Sequence, residues 1–138
     1  MMGDTIKYKG GYKYQLAETY QATVDIRPAD TIHTEFIHLT RTGLLMIGQG
    51  YAWDGPSGPA IDTKNFMRGS LIHDALYQLM REGHLPKTCR RAADVELRRA
   101  CAEDGMSWIR CQWVYWSVCV FASSCADPQH KKPVLEAP

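Results

Sequence analysis

From residue 12 to residue 53 apolar and polar side chains alternate in short, partly regular runs rich in Tyr, Thr, Val and Ile. A period of two is that of a strand with one buried face. "YKYQLAETYQATVDI" (12–26) reads as strand and stops before Pro28. "HTEFIHLT" (33–40) follows, then the turn "RTG", then "LLMIGQGYAW" (44–53). The last two predict a hairpin turning at Thr42–Gly43. Gly48 and Gly50 predict a bulge or a close backbone approach in the final strand. After residue 63 the period lengthens to about 3.6, that of a helix. Asp62 or Thr63 caps a first helix to about Arg81, closed by Gly83 and followed by Pro86. Thr88 caps a second helix to about Glu103, ended by Asp104–Gly105, and Ser107 caps a third that ends near Ser123. The predicted class is α+β: a small antiparallel sheet in the N-terminal half, then three helices, with residues 1–125 as one domain. The tail "DPQHKKPVLEAP" holds three prolines and reads, over 126–138, as an extended arm.

Composition narrows the function without choosing it. The 138 residues are 45% hydrophobic and 22% charged, with a formal net charge of +1. That suits one modest core and gives no electrostatic case for nucleic acid. Lys87, Arg90, Arg91, Arg98 and Arg99 fall at helical spacing and read as a solvated face. The five cysteines are odd in number and show no C-x-x-C pair, so they read as small hydrophobes in a reducing compartment. The N-terminus "MMGDTIKYKGG" has no apolar region of a secretory signal. Trp108–Ala122 is very apolar, but Arg110 and Gln112 interrupt it and it is shorter than the ~20 residues of a membrane span. It predicts a buried helix, with interfacial contact as the alternative.

The chemistry concentrates on the first two helices. On a wheel at ~100° per residue, Ile72, Ala75, Leu76, Leu79 and Met80 form the apolar arc of the first. His73, Asp74, Tyr77 and Ser70 make a polar strip at its border. Asp94 lies at the edge of the second apolar arc, formed by Ala93, Leu97, Ala100 and Cys101. A short linker predicts antiparallel packing, which lets Asp94 accept a hydrogen bond from His73 or Tyr77. A carboxylate on one imidazole nitrogen sets the tautomer and leaves the other nitrogen as a base. Asp74, with Asp54 from the preceding loop, is then a candidate ligand pair for a hard divalent cation such as calcium.

Three blocks carry a resemblance. "GYAWDGPSGP", "HDALY" and "RRAAD" resemble a family of tailed bacteriophages and prophages, the domain of unknown function thirteen-fifty-three. Its loop motif W-D-G-x-S-x-P falls on Trp53, Asp54, Gly55, Ser57 and Pro59. Its helical H-D-x-L-Y falls on His73, Asp74, Leu76 and Tyr77, and R-x-x-A-D on Arg90, Ala93 and Asp94. The resemblance implies a virion or host-cytoplasm location and other phage virion proteins, or further copies of the chain, as partners. It implies no activity. Locally, H-D-x-x-Y is also similar to the secreted phospholipases of the A-two type. That similarity implies His73 as general base, Asp74 as calcium ligand, Tyr77 as network partner and Asp94 as the group that orients His73. Ile72 and Leu76 stand where those enzymes carry cysteines, and their glycine-rich calcium loop is absent.

Each candidate also has a plainer reading. His73 can be a satisfied structural histidine, Asp54–Gly55 a turn, and Arg90 a helix pair with Asp94 or a clamp on the loop. Ser57 does not stand in a nucleophile elbow. His33 and His38, five apart in one strand, are expected on opposite faces and not as a metal pair. His84 and His130 read as solvated. Two readings remain open. One is a virion or assembly component at a phage tail or neck. The other is a metal-assisted hydrolase of an ester, phospholipid or cell-wall bond.

Overall fold

The computed structural model describes residues 8–9, 14–53 and 64–121. Their class is α+β, with two small antiparallel sheets followed by three helices. The strands are β1 (Tyr8–Lys9), β2 (Tyr14–Leu16), β3 (Tyr20–Thr23), β4 (Ile32–His33), β5 (Ile37–Leu39), β6 (Leu44–Ile47) and β7 (Ala52–Trp53). The helices are α1 (Lys64–Arg81), α2 (Arg90–Glu103) and α3 (Trp108–Phe121). One sheet has the order β1-β2-β7 and the other β3-β6-β5-β4.

The one expected sheet is therefore divided, and the breaks fall where the alternation is interrupted. β2 and β3 are separated at residues 17–19, and β6 and β7 at residues 48–51. At the second break Gly50 has φ 95°, and its N–H bonds Leu16 O at 2.8 Å. That turn carries the chain from one sheet into the other. The predicted β5–β6 hairpin is present, and Gly43 sits in it at φ 92°. A Cβ there would lie 2.4 Å from the Val24 carbonyl oxygen, so only glycine fits. "HTEFIHLT" does not form one strand. A turn at 34–36 splits it into β4 and β5, so His33 and His38 lie across from each other on one face, correcting the expectation of opposite faces.

Period two decides what the four-stranded sheet buries. Tyr20, Ile47 and Ile37 are paired in one row, and Ala22, Leu45, Leu39 and Ile32 in another. All are buried and pack with α1 in the main core. Full burial of each Ile or Leu contributes about 1.5–3 kcal/mol. α1 is buried on nearly every side, from Phe66 to Ile72 and again at Ala75, Leu76, Leu79 and Met80. It ends as predicted: Gly83 takes φ 81°, and the His84 N–H bonds Leu79 O at 2.8 Å. The predicted caps Asp62 and Thr63 lie outside the described residues. So does the arm at 126–138.

Thr88 does not cap α2. It lies in a 3-10 turn at Lys87–Cys89, and Cys89 occupies the cap position without a side-chain hydrogen bond. Ser107 does cap α3, accepting from the Arg110 N–H at 3.3 Å. α2 packs against both α1 and α3. Early α1 residues touch late α2 residues, and later α1 residues touch early α2, so these two helices run antiparallel. They pack tightly at Gly69, where a Cβ would stand 2.8 Å from Leu97 Cδ1 and 3.1 Å from Leu97 O. Gly69→Val should therefore lose about 3 kcal/mol by forcing the helices apart. Urea denaturation checks this, and a loss below about 1 kcal/mol would show that the contact can relax.

Candidate functional site

Antiparallel packing of α1 on α2 brings His73, Tyr77 and Asp94 together. His73 is only 6% exposed and Asp94 is 0% exposed. His73 Nε2 lies 2.8 Å from Asp94 Oδ1, and the Tyr77 hydroxyl donates to the same oxygen at 2.7 Å. A carboxylate accepts, so His73 carries its hydrogen on Nε2. One turn apart on α1, the two rings also stack, with centroids 4.2 Å apart. The other ring nitrogen, Nδ1, faces Asp74 Oδ1 at 3.7 Å, beyond a hydrogen bond but within ion-pair range. Asp74 is the half-buried member of the group.

The electrostatics follow from these partners. Burial alone would lower the His73 pKa, but the Asp74 carboxylate beside it and the charge and hydrogen bond of Asp94 outweigh that, and the pKa is raised above 6.5. Burial raises the Tyr77 pKa, and the Asp94 bond raises it further. Asp94 Oδ2 is buried without a hydrogen-bond partner among the described residues. Cys119 of α3 approaches this carboxylate. Burial and the Asp94 charge both push its pKa up, so it stays a thiol and not a reactive thiolate.

The remaining predicted residues are divided. Trp53 ends β7, buried, with its indole N–H on Ser70 Oγ at 3.1 Å. Ser70 in turn donates to Met67 O at 2.8 Å, which ties the strand end to α1 one turn before His73. Asp54, Gly55, Ser57 and Pro59 lie outside the described residues, and with them the proposed second cation ligand. Arg90 forms no hydrogen bond or ion pair with Asp94. Its charge acts on Tyr77, and the loop it was expected to clamp lies outside the described residues. Among the described residues no group of three His, Cys, Asp or Glu side chains is arranged to hold a metal ion. Asp74 is thus the one predicted cation ligand whose place is described.

Two polar clusters had no signal in the sequence pattern. Arg68, buried on α1, reaches Asp104 at 3.0 and 3.2 Å, Glu103 at 2.6 Å and the Tyr20 hydroxyl at 2.9 Å. Glu96, buried on α2, bonds Arg99 and accepts the Asp25 N–H at 2.9 Å. Arg68 sits among apolar neighbours on α1, and only the distant partners show why a charge is kept there. With Cys119, these are the side chains that helical periodicity could not single out.

α3 departs from its expectation. Cys111 and Val114 are buried, with Val118 packed beside them. Trp108, Ile109, Trp113 and Trp116 are 43–76% exposed. At ~100° per residue these four fall within about 140° of the helix circumference. No helix among the described residues is long and apolar enough to cross a membrane. No family model, curated protein or solved structure matches the chain.

Proposed function

We propose that this chain works by association, as a tailed-bacteriophage protein that joins virion proteins or further copies of itself. The observation that carries association is the outer face of α3. Three tryptophans and an isoleucine exposed on one arc are far more than scattered surface residues, and such patches mark interaction sites. The phage assignment rests on the three sequence blocks around Trp53, His73 and Arg90. In this reading the His73–Asp94–Tyr77 cluster is an internal lock. A general base must be neutral near its working pH, whereas two carboxylates hold His73 toward the charged form.

A metal-assisted hydrolase is the second reading, favoured by one detail. Both hydrogen bonds to Asp94 Oδ1 use Nε2 and the tyrosine, which leaves Nδ1 as the ring atom turned toward Asp74. In that reading Asp94 orients His73, and Asp74 with Asp54 supplies ligands to calcium.

Sedimentation velocity of the wild type and of Trp113→Glu/Trp116→Glu tests the first reading, with calcium calorimetry and ester hydrolysis run beside it. The expected result is a concentration-dependent larger species that the double variant loses while its melting temperature holds. A wild type that stays monomeric, binds calcium through Asp74 and hydrolyses an ester would replace association with catalysis.

A further inference from the structure

The outward face of the four-stranded sheet carries a row of side chains that the proposed function does not use. His33 on β4 stands directly across from His38 on β5, and His38 directly across from Met46 on β6. Their neighbours Ile32, Ile37, Leu39, Leu45 and Ile47 turn into the core, so the row faces out. The two Nδ1 atoms are 3.0 Å apart, with ring centroids at 4.6 Å and the ring planes at 81°. Two imidazole lone pairs do not face each other at that distance with nothing between them. Either a proton or a metal ion bridges them. Two nitrogens bound to one ion at ~2.0–2.1 Å stand about 3 Å apart when the angle at the ion is near 95°. The spacing of the pair therefore matches that of two nitrogens on one ion.

The hairpin that presents the pair is built independently of any ion. Thr34 N–H bonds Ile37 O at 2.8 Å, and Thr34 Oγ1 both donates to Ile37 O and accepts from Ile37 N–H at 3.0 Å. Little ordering is then left for an ion to impose. Met46, directly across from His38, is the nearest residue of the row with a further donor atom to offer. Side chains directly across a sheet have Cβ atoms about 4.5–5.5 Å apart, and a methionine has three rotatable bonds with which to bring its sulfur over the pair. Among the described residues no third His, Cys, Asp or Glu completes the set. His33 also borders an open hollow of ≈ 570 Å³ shared with Asp30 and His84, through which a hydrated ion can approach.

We propose that His33 and His38, with the Met46 thioether beside them, bind a late first-row transition ion, copper(II) foremost. Imidazole suits copper, zinc and nickel, and for a given donor set affinity peaks at copper. Binding needs both rings neutral with their hydrogens on Nε2, so the proton between the two Nδ1 atoms leaves through solvent, to be taken up at Nε2 of its own ring where that site is bare and released where it is not, and the metal keeps its oxidation state. An outward-facing site with two protein nitrogens and open water positions holds its ion exchangeably and is not a structural metal centre.

The test is copper(II) titration of the full chain, read by electron paramagnetic resonance and by paramagnetic broadening of amide signals. The expected spectrum shows one ion coupled to two nitrogens, with broadening centred on residues 32–39 and 45–47. His38→Gln should weaken binding by about 100-fold, and Met46→Leu by less than about tenfold, at an unchanged melting temperature without metal. Thiolate charge-transfer absorption with broadening around Cys89 or Cys119 would place the ion on sulfur and overturn the site. So would a His38→Gln variant that binds as the wild type does.

Discussion

Asp94→Ala is expected to destabilise the protein by about 3–5 kcal/mol. Two buried donors, His73 Nε2–H and the Tyr77 hydroxyl, lose their shared acceptor, and the side chain they enclose shrinks to a void. Asp94→Asn keeps the shape and one carbonyl acceptor but removes the charge, so its loss should be smaller. It also separates the electrostatic part. The raised His73 pKa means that the folded state binds its proton more tightly than the unfolded chain. That stability is fully present below pH 6.5 and is lost as pH rises through the raised folded value. In Asp94→Asn this fall should flatten, and the His73 ring signals should titrate lower by nuclear magnetic resonance. A His73 that titrates unchanged in Asp94→Asn would mean that Asp74 alone holds the imidazolium.

Arg68→Met should have the next largest effect, about 3 kcal/mol in urea denaturation. Methionine keeps the apolar stem, so the loss reports the guanidinium and not packing. Asp104 is part-buried, its side chain 14% exposed, and would be left without its bidentate partner. Glu103 is more exposed and can turn to water, which limits the total. Burial alone would lower the Arg68 pKa, but bonds to Asp104, Tyr20 and Glu103 raise it, so the side chain stays charged throughout the accessible pH range. Arg68→Lys keeps the charge without the planar fork and should recover only part of the loss. A loss below about 1 kcal/mol would show that water already competes for this cluster.

Local periodicity made part of this protein legible. The α+β order, the helix ends at Gly83 and Gly105, the Ser107 cap and the β5–β6 turn all follow from residues a few positions apart. The edge positions of His73, Tyr77 and Asp94 belong to the same class. Residues four apart share a helix face, and a short linker makes the next helix antiparallel, so a wheel places all three at one seam. Thr88 shows the limit, because its suitability as a cap did not stop a 3-10 turn from moving the helix start to Arg90.

The rest depended on which distant surfaces meet. Arg68 meets Tyr20 across 48 positions, and Arg99 meets Asp25 across 74. No local pattern marks either pair, because a buried charge and a solvated one look alike until the partner arrives. The division into two sheets was hidden for the same reason. Strand propensity is shared by both sheets, and only the pairing of β2 with β7 and of β3 with β6 decides which strand joins which. The His33–His38 pair turns on a still smaller choice. A turn at 34–36 converts the apparent strand at 33–40 into a hairpin and moves two side chains from opposite faces to one. The sequence by itself determined the α+β order, the three helices and the seam that holds His73. Tertiary packing decided the long-range ion clusters and which face of α3 is exposed, because each depends on segments whose separation along the chain carries no local energy signal.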